Sequence, residues 1–248
     1  MEILFIFAMI SELSFLLNKF PERTSEKIGE YTLYKMKHQK NNIYILHSKI
    51  GSLDTAISLT KALNKIKPDF IINAGTAGSH DANLNVGDII IAKEVININQ
   101  IKTKYKKLYE GSNSLDWELN TFEEGEDNDK LKIYYGEEKL IKLIRIISFT
   151  NKIGVKEGRV ASGDIWNREI DRIKFFNEKY STVCEEMELY IIYKICEQEN
   201  IPCIGIKIIS NNEINGQEYD NKVSQYLDDF LYKIIINISN YDNILKDK

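Results

Sequence analysis

The segment Phe70-Ile71-Ile72-Asn73-Ala74-Gly75-Thr76-Ala77-Gly78-Ser79 decides the class of fold. Its first three residues form an apolar run after the break at Pro68-Asp69, and they predict a short strand buried in a sheet. The small and polar residues that follow can bring the backbone close to a phosphate or a ribose. Taken alone, however, they favour a plain tight turn, because they lack the Walker lysine and the glycine spacing of dinucleotide-binding motifs.

Strands and helices alternate on both sides of this segment. Apolar runs predict strands over residues 2–9, 31–37, 42–48, 89–98, 153–162 and 203–210. Helical spacing predicts helices over residues 13–20, 53–66, 137–148, 167–177, 187–199 and 222–240. Several of the strands are continuous apolar runs, which is typical of a sheet covered on both faces. We therefore predict a single α/β domain over residues 1–248, with helices on both sides of the sheet.

Residues 99–130 depart from this alternation. They are rich in Lys, Asn, Ser and acidic residues, and we predict neither a helix nor a strand there. Because strong elements resume on both sides, we expect a loop or flap rather than a linker between domains.

Composition excludes several classes of protein. Of the 248 residues, 43% are hydrophobic, which is enough for a packed core. The formal net charge of -4 argues against binding to duplex nucleic acid, which needs a basic surface. The first apolar run follows an acidic residue and is too short for a signal peptide, and no apolar segment reaches spanning length. We expect a soluble, cytoplasmic protein with neither a membrane nor a nucleic-acid partner.

Cysteine and histidine usage makes a disulfide framework and a zinc site unexpected. The three cysteines, Cys184, Cys196 and Cys203, are an odd number confined to the last third of the chain. None of the three histidines stands at metal-ligand spacing from a cysteine.

Candidate binding residues lie at the predicted strand ends, because sheets of this kind bind ligands beyond the carboxyl ends of their strands. The ends in question are Met9–Glu12, Asn73–Ser79, Ser162–Asn167 and Ser210–Glu213. Glu12 is either an ordinary acid in the first turn of a helix or a carboxylate of the site. Trp166 offers an aromatic face on which a flat ring can stack.

The run Glu185-Glu186-Met187-Glu188 precedes an apolar helical stripe. Acidic residues at a helix start complement the helix dipole, and we interpret Glu185 and Glu186 in that way. Glu188 lies beside the apolar stripe, so we expect it to be partly buried. A carboxylate at that position can accept hydrogen bonds from the paired hydroxyls of a sugar.

Taken in order, these motifs resemble those of one family. They are Ala8-Met9-x-x-Glu12, Asn73-x-Gly75-Thr76-Ala77-Gly78, Gly87-Asp88, Ser162-Gly163-Asp164, Glu186-Met187-Glu188 and Ile209-Ser210. Over nearly its whole length the chain is similar to the 5′-methylthioadenosine/S-adenosylhomocysteine nucleosidases of the nucleoside phosphorylase superfamily. The resemblance implies a three-layer α/β/α sandwich around a mixed, partly closed sheet, usually in a homodimer. It also implies irreversible hydrolysis of an adenine–ribose bond, with no metal or cofactor.

The resemblance further implies roles for individual residues. Glu12 activates the water, and Glu188 holds the ribose hydroxyls and supports positive charge at the anomeric carbon. Met187 packs under the ribose, Thr76 replaces a serine near the water, and Trp166 replaces a phenylalanine that stacks on the base. The remaining implied substrate-binding positions are Met9, Ile50, Ala77, Gly78, Glu186 and Asn167, the last through backbone atoms at the adenine edge.

These roles fit the chemistry of the bond. Cleavage of an N-glycosidic bond builds positive charge on the sugar and negative charge on the leaving base. A base that activates water and a carboxylate near the sugar stabilise the positive charge on the sugar. Protonation of the purine at N7 neutralises the negative charge on the leaving base.

Two further residues depart from the family pattern. The family's leaving-group acid is an aspartate directly after the serine that Ser210 matches, and this chain has Asn211 there. An amide can donate to N7 and accept from the exocyclic amine, but it cannot transfer a proton. General acid catalysis is worth about a hundredfold to ten-thousandfold in rate. Lys207 replaces an arginine, which keeps the charge but not the fork geometry.

Three interpretations remain open. In the first, the chain hydrolyses adenine thionucleosides, slowly or with a shifted acid such as Glu213. In the second, the base is a 6-oxopurine, because the carbonyl of Asn211 then accepts from N7–H while its amide donates to O6. In the third, the chain binds adenine or nucleosides without turnover. A phosphorylase is disfavoured, since no phosphate-binding motif is matched by the arginines, which are Arg23, Arg145, Arg159, Arg168 and Arg172.

Overall fold

Twelve β-strands and seven α-helices are present in the computed structural model, which describes residues 1–122 and 131–246. The strands are β1 (Glu2–Phe7), β2 (Thr24–Ile28), β3 (Tyr31–His38), β4 (Asn41–His47), β5 (Phe70–Ser79), β6 (Ile89–Asn97), β7 (Ile101–Lys102), β8 (Glu118–Leu119), β9 (Ile133–Tyr135), β10 (Val155–Ser162), β11 (Thr182–Glu186) and β12 (Cys203–Asn211). The helices are α1 (Ile10–Asn18), α2 (Ser52–Leu63), α3 (Glu138–Thr150), α4 (Ile170–Tyr180), α5 (Leu189–Glu199), α6 (Ser224–Asn237) and α7 (Asp242–Lys246).

Ten of the strands form one mixed sheet, in the order β11-β10-β6-β12-β5-β1-β4-β3-β2, with β9 paired to β6. An additional antiparallel pairing of β11 with β5 closes β5, β12, β6, β10 and β11 into a five-stranded barrel. Strands β1 and β12 both run parallel to β5, so their carboxyl ends meet at one edge of the sheet. The predicted mixed, partly closed sheet is confirmed.

Helices cover both faces of this sheet. The first core lies between the sheet and helices α1, α3 and α6, and the second lies between the sheet and helices α2 and α5. Successive side chains of a strand point to opposite faces. Ile3, Phe5 and Phe7 of β1 therefore pack in the first core, while Leu4 and Ile6 pack in the second. Both sets are fully buried, which explains the continuous apolar run and confirms the three-layer sandwich.

Three strands correct the prediction from sequence. The glycine-rich segment after Ile72 is not a tight turn, because β5 continues through it to Ser79. Residues Glu185 and Glu186 are not helix-start acids; they end strand β11 and are both buried. Strand β2 was not predicted, since four of its five residues are exposed and it has no apolar pattern.

Helix α2 ends at Leu63, three residues before the predicted end of the helix over 53–66. Leu59 and Leu63 are buried, but Leu53 in the first turn is 72% exposed. The first turn of α2 therefore presents an apolar side chain to the outside of this chain.

The polar stretch 99–130 contains a small antiparallel sheet. Strand β7 pairs with β8, with Ile101 opposite Leu119, and a 3₁₀ turn over Ser114–Asp116 precedes β8. Residues 123–130 of the predicted loop or flap lie outside the described residues.

The described part of the chain, residues 1–122 and 131–246, has no helix that is long and apolar enough to cross a membrane. Within the same residues, no cluster of three or more His, Cys, Asp and Glu side chains is arranged to hold a metal ion. The cysteines Cys184, Cys196 and Cys203 are free and buried.

Candidate active site

A cavity of about 330 Å³ lies at the carboxyl ends of β1, β5, β10, β11 and β12. It gathers residues from strand ends that are far apart in sequence, as expected for a sheet of this kind. The lining residues are Ala8, Met9, Glu12, Ile50, Thr76, Ala77, Gly78, Ile165, Trp166, Glu185, Glu186, Met187, Glu188, Ser210, Asn211 and Tyr219.

Glu12 lies in the first turn of α1 and also faces the cavity. One carboxylate oxygen accepts from the backbone N–H of Thr76 at 2.7 Å and from its hydroxyl at 2.8 Å. The other oxygen accepts from the N–H of Met9 at 3.1 Å. Burial raises the pKa of Glu12 above its ordinary value, although these hydrogen bonds act in the opposite direction.

Gly75 makes room for this carboxylate. A Cβ atom at position 75 would lie 2.9 Å from Oε1 of Glu12, closer than such contacts occur. The glycine next to Thr76 is therefore a steric requirement of the Glu12 geometry rather than of a turn.

Glu188, Glu186 and Lys207 form a second charged group on the cavity wall. The Lys207 ammonium lies 2.8 Å from an oxygen of Glu186, and both side chains are buried. Burial alone lowers the pKa of Lys207, but attraction to Glu186 and Glu188 raises it overall, so Lys207 is charged. Lys207, which replaces the arginine of the family pattern, thus keeps the positive charge and pairs it with Glu186.

Glu188 accepts a hydrogen bond from the backbone N–H of Gly51 at 2.8 Å. Burial and then the neighbouring Glu186 raise the pKa of Glu188 to about 8. Burial and the neighbouring Glu186 thus disfavour the ionised form of Glu188, whereas a positive charge beside it would favour that form.

Asn211 lies at the end of β12, beside the glycine of β5 that carries no side chain. Ser210 donates from its hydroxyl to Oδ1 of Asn211 at 3.0 Å, and Nδ2 of Asn211 donates to Glu213 at 3.5 Å. A Cβ atom at Gly78 would lie 3.3 Å from Nδ2 of Asn211. The Asn211 amide therefore lies against Gly78 at the cavity wall.

Glu213, the alternative acid, does not line the cavity. Its two oxygens accept from Arg168 at 3.0 and 3.3 Å. Glu213 thus lies within hydrogen-bond distance of the Asn211 amide but is paired with Arg168 and is not part of the cavity wall.

Aromatic side chains form the mouth of the cavity. Trp166 is 63% exposed and its ring centroid lies 5.8 Å from that of Tyr219. Both rings line the cavity, so a flat base can contact them from inside.

A buried polar group lies behind the same side of the cavity. The ring of His80 contacts an oxygen of Glu185 at 2.9 Å through Nε2 and the hydroxyl of Thr182 at 2.8 Å through Nδ1. The backbone N–H of Asn167 donates to the other oxygen of Glu185 at 3.2 Å. Asn167 is the one predicted site residue that does not line the cavity, and its backbone N–H is bonded to Glu185.

Sequence reasoning missed Glu185 and Tyr219 as lining residues. A signal for Glu185 was present, since the β-branched Thr182 and Val183 just before it favour a strand over a helix start. For Tyr219, which follows the last sheet strand in an irregular segment, the sequence carries no comparable signal.

Helix α6 supports the helix that carries Glu12. An oxygen of Asp228 on α6 accepts from the N–H of Leu16 on α1 at 2.8 Å, and the hydroxyl of Ser224 donates to the carbonyl of Ser11 at 3.1 Å. Burial raises the pKa of Asp228 to about 8. The position of Glu12 on α1 thus depends on contacts from α6, which follows it by more than 200 residues.

The cavity can therefore hold a nucleoside-sized molecule between carboxylates and an amide-and-aromatic wall. Glu12 can accept a proton from water, and Glu188 can accept hydrogen bonds from hydroxyls or stabilise a cation. Asn211 can hydrogen bond a heterocycle but cannot protonate it.

Comparison with known proteins agrees with this architecture. A family model described as the phosphorylase superfamily matches residues 2–239. A relative from Anoxybacillus flavithermus, named 5′-methylthioadenosine/S-adenosylhomocysteine nucleosidase, is 29% identical over 92% of this chain and 91% of its own length.

Two solved structures share the fold. The 5′-methylthioadenosine/S-adenosylhomocysteine nucleosidase of Campylobacter jejuni aligns with a TM-score of 0.79 and 19% identity, covering 96% of this chain and 99% of that chain. The futalosine hydrolase of Helicobacter pylori aligns with a TM-score of 0.79 and 21% identity, covering 94% of this chain and 97% of that chain. With the family model spanning nearly the whole chain, the protein belongs to the phosphorylase superfamily.

Proposed function

We propose that the protein hydrolyses the N-glycosidic bond of 5′-methylthioadenosine and S-adenosylhomocysteine, releasing adenine and the thioribose. The observation that carries this proposal is the convergence of Glu12 and Glu188 in one cavity. The nucleosidase relative, which covers 92% of the chain at 29% identity, supports the same substrates.

Glu12 is the proposed base for the attacking water. Its carboxylate is fixed by three donors, two from Thr76 and one from Met9, so it needs no rearrangement to accept a proton. Because burial raises its pKa, Glu12 is a stronger base than an exposed glutamate.

Glu188 is the proposed partner of the ribose. As the glycosidic bond breaks, positive charge grows on the sugar ring and favours the ionised form of Glu188. The nearby Lys207 remains paired with Glu186, so its charge does not cancel this effect. Stabilisation that grows only in the transition state is the kind that accelerates the reaction.

Water is the proposed nucleophile rather than phosphate. None of the five arginines, all of which lie in the described residues, lines the cavity. Arg168 is paired instead with Glu213, which itself does not line the cavity. Release of ribose 1-phosphate only in the presence of phosphate would contradict this assignment.

A specific observation favours a second candidate function, hydrolysis of 6-oxopurine nucleosides. The amide of Asn211 lines the cavity where an acid is expected. With a proton already on N7, its carbonyl can accept from N7–H while its NH₂ donates to O6.

Chromatography of products tests both candidates. The purified protein is incubated separately with methylthioadenosine, S-adenosylhomocysteine, adenosine and inosine. Adenine released from the thionucleosides supports the first candidate, and hypoxanthine released from inosine supports the second. If no base is released from any of the four nucleosides, both candidate functions are contradicted, and binding of nucleosides without turnover remains.

A symmetric homodimer is part of the proposal. Ile50, Leu53 and Ile57 expose apolar surface at the start of α2, and Ile50 also lines the cavity. A second copy that covered this patch would narrow the cavity mouth. Light scattering should give about twice the 28.8 kDa chain mass, whereas a monomer mass at every concentration would contradict the dimer.

A further inference from the structure

The proposed hydrolysis uses no group of Asp164, the last residue of the Ser162-Gly163-Asp164 motif. Asp164 is exposed and does not line the cavity. Its carboxylate nevertheless bonds to the first turn of helix α2. One oxygen accepts from the backbone N–H of Ser52 at 2.7 Å, and the other accepts from the Ser52 hydroxyl. The loop after β10 thus holds the start of a helix that lies 112 residues earlier in the chain.

Gly51, the residue before Ser52, orients Glu188. The backbone N–H of Gly51 donates to Oε1 of Glu188 at 2.8 Å. Within residues 1–122 and 131–246, this is the one hydrogen bond that the Glu188 side chain accepts. The second oxygen of Glu188 is therefore open to a ligand in the cavity. The direction in which Glu188 presents that oxygen depends on where Gly51 is held.

The backbone of Gly51 is matched to two carboxylates. Its φ angle is +95°, a conformation that L side chains rarely adopt, and a Cβ there would lie 3.2 Å from Oδ1 of Asp164. The successive N–H groups of Gly51 and Ser52 donate to carboxylates that follow two different strands, β11 and β10. Because a glycine turn is flexible by itself, the charge-assisted hydrogen bonds to Ser52 restrict its position.

The Asp164 backbone is fixed in turn by its own neighbours. Its N–H donates to Oδ1 of Asn99 at 3.0 Å, and the N–H of Gly163 donates to the carbonyl of Glu186 at 2.9 Å. A Cβ at Gly163 would lie 2.5 Å from the side chain of Ile98, so the loop packs directly against the residue that follows β6. Asp164 is therefore a fixed anchor for the start of α2.

We propose that Asp164 is a positioning residue that sets the orientation of Glu188 through the first turn of α2. The inference rests on the proposed function, in which Glu188 holds the ribose hydroxyls. Without the Asp164 carboxylate, the Gly51 N–H moves more freely, and Glu188 presents its open oxygen to the ribose less often. The backbone bonds of the Asp164 loop remain, so the base side of the cavity should keep its geometry.

The test compares ligands with and without a ribose, so it does not depend on hydrolysis. Calorimetry measures the binding of methylthioadenosine and adenine, and of inosine and hypoxanthine, to Glu12→Gln, which should not cleave nucleosides. Addition of Asp164→Ala should weaken nucleoside binding about tenfold, because charge-assisted hydrogen bonds are lost. Binding of the matching free base should not change, since a base without a sugar does not reach Glu188.

Two further variants at the contact make the comparison sharper. Asp164→Asn keeps an acceptor for the N–H of Ser52 and should regain most of the lost nucleoside affinity. Ser52→Ala removes only the hydroxyl donor and should give the same selective loss to a smaller extent, which covers the case in which Asp164→Ala does not fold.

Asp171→Ala is the matched control. Asp171 is also an exposed aspartate, lies in the first turn of α4 and does not line the cavity, so this variant should bind nucleosides and bases as before. Circular dichroism checks the fold of each variant.

A double-mutant cycle separates positioning from simple capping of α2. A carboxylate at a helix start stabilises the helix whatever Glu188 does. If Asp164 acts through Glu188, Asp164→Ala should cost no further nucleoside affinity once Glu188→Ala has removed the side chain that it positions.

Three results would each overturn the proposal. They are equal weakening of nucleosides and free bases in Asp164→Ala or Ser52→Ala, additive losses in the cycle, and no binding of any nucleoside. Failure of the parent protein to release a base from any nucleoside, with the selective loss and the coupling intact, would instead overturn only the proposed hydrolysis.

Discussion

The sugar side and the base side of the cavity are built in different ways. On the sugar side, Glu12 and Glu188 accept hydrogen bonds from the backbone of Thr76, Met9 and Gly51. On the base side, Asn211 and Glu185 are held largely by other side chains, including Ser210 and His80. Backbone donors are fixed by the fold, whereas side-chain partners change with single substitutions.

This difference indicates which part of the function can vary. The residues of the sugar side match the family pattern, apart from Thr76, which keeps the hydroxyl of a serine, and the charge-preserving Lys207. The departure that bears on the choice of base, Asn211, is on the base side. We infer that bond cleavage at the sugar is set by the scaffold and that the choice of base is set by replaceable side chains.

The largest effect is expected from Glu12→Gln on the sugar side. Glutamine can still accept from the N–H of Thr76, so the fold should remain, but it cannot take a proton from water. Hydrolysis should fall by about a thousandfold or more, within the usual range for a lost general base. Rates are measured by adenine release, with the exposed Glu22→Gln as a control that should keep parental activity. If Glu12→Gln hydrolyses at the parental rate, Glu12 is only an acidic residue in the first turn of a helix and not the catalytic base.

A pair of glycine substitutions compares the two sides directly. In Gly75→Ala the new Cβ would lie 2.9 Å from Glu12, so the carboxylate must move and every substrate should lose about a hundredfold in kcat. In Gly78→Ala the new Cβ would lie 3.3 Å from the Asn211 amide, so the loss should be smaller and should differ between bases. Steady-state rates on methylthioadenosine and inosine measure both. Equal losses in the two variants on both substrates would remove the distinction between the sides.

Asn211→Asp tests the base side alone. If adenine thionucleosides are the substrates, the new carboxyl restores a proton donor, and hydrolysis should rise more than tenfold. Glu213 lies 3.5 Å from Nδ2 of Asn211, and its negative charge would favour the protonated form of the new acid.

The same variant has the opposite sign on the other substrate class. Cleavage of 6-oxopurine nucleosides should fall, because a carboxylate repels O6 where the amide donates to it. A rise in inosine cleavage would contradict the 6-oxopurine interpretation. If Glu213 were the acid, Asn211→Asp would change little and Glu213→Gln would be the damaging variant.

The smallest effect is expected from Asp228→Asn, behind the sugar side. Burial raises the pKa of Asp228 to about 8, so the folded protein holds a proton there that the unfolded chain releases at lower pH. The free energy of unfolding therefore falls as the pH rises from about 4 to about 8, and asparagine removes this loss.

Thermal unfolding of the two proteins measures that effect. Asparagine keeps an acceptor for the N–H of Leu16, so the variant should fold. Relative to the parent, its Tm should gain about 3 °C or more between pH 5 and pH 8, given that 1 kcal/mol corresponds to about 2–4 °C at this size. A constant difference in Tm across that range would show that Asp228 does not change its protonation on unfolding.

The sheet and most of the sugar side could be predicted from the sequence because their signals are local. A continuous apolar run such as 3–7 indicates a strand or helix buried on both faces, and its length favours a strand. Glu12 and Glu188 stand beside such runs, so their motifs fix their places in the fold.

The base side could not be predicted in the same way because its partners are distant in sequence. Glu185 and Glu186 follow the dipole rule for a helix start, but His80 and Lys207 draw them into strand β11. Likewise, Gly75 and Gly78 favour a turn locally, but pairing with the distant strands β11 and β12 keeps that segment extended in β5. Tertiary contacts overrode local propensity at these positions.

The hydrogen bond between Asp228 and the N–H of Leu16 has a consequence for synthesis of the chain. The side chain that supports the helix of Glu12 is synthesised 212 residues after Leu16. The nascent chain therefore cannot form this contact, or fix the helix of the proposed catalytic base through it, until α6 has left the ribosomal tunnel.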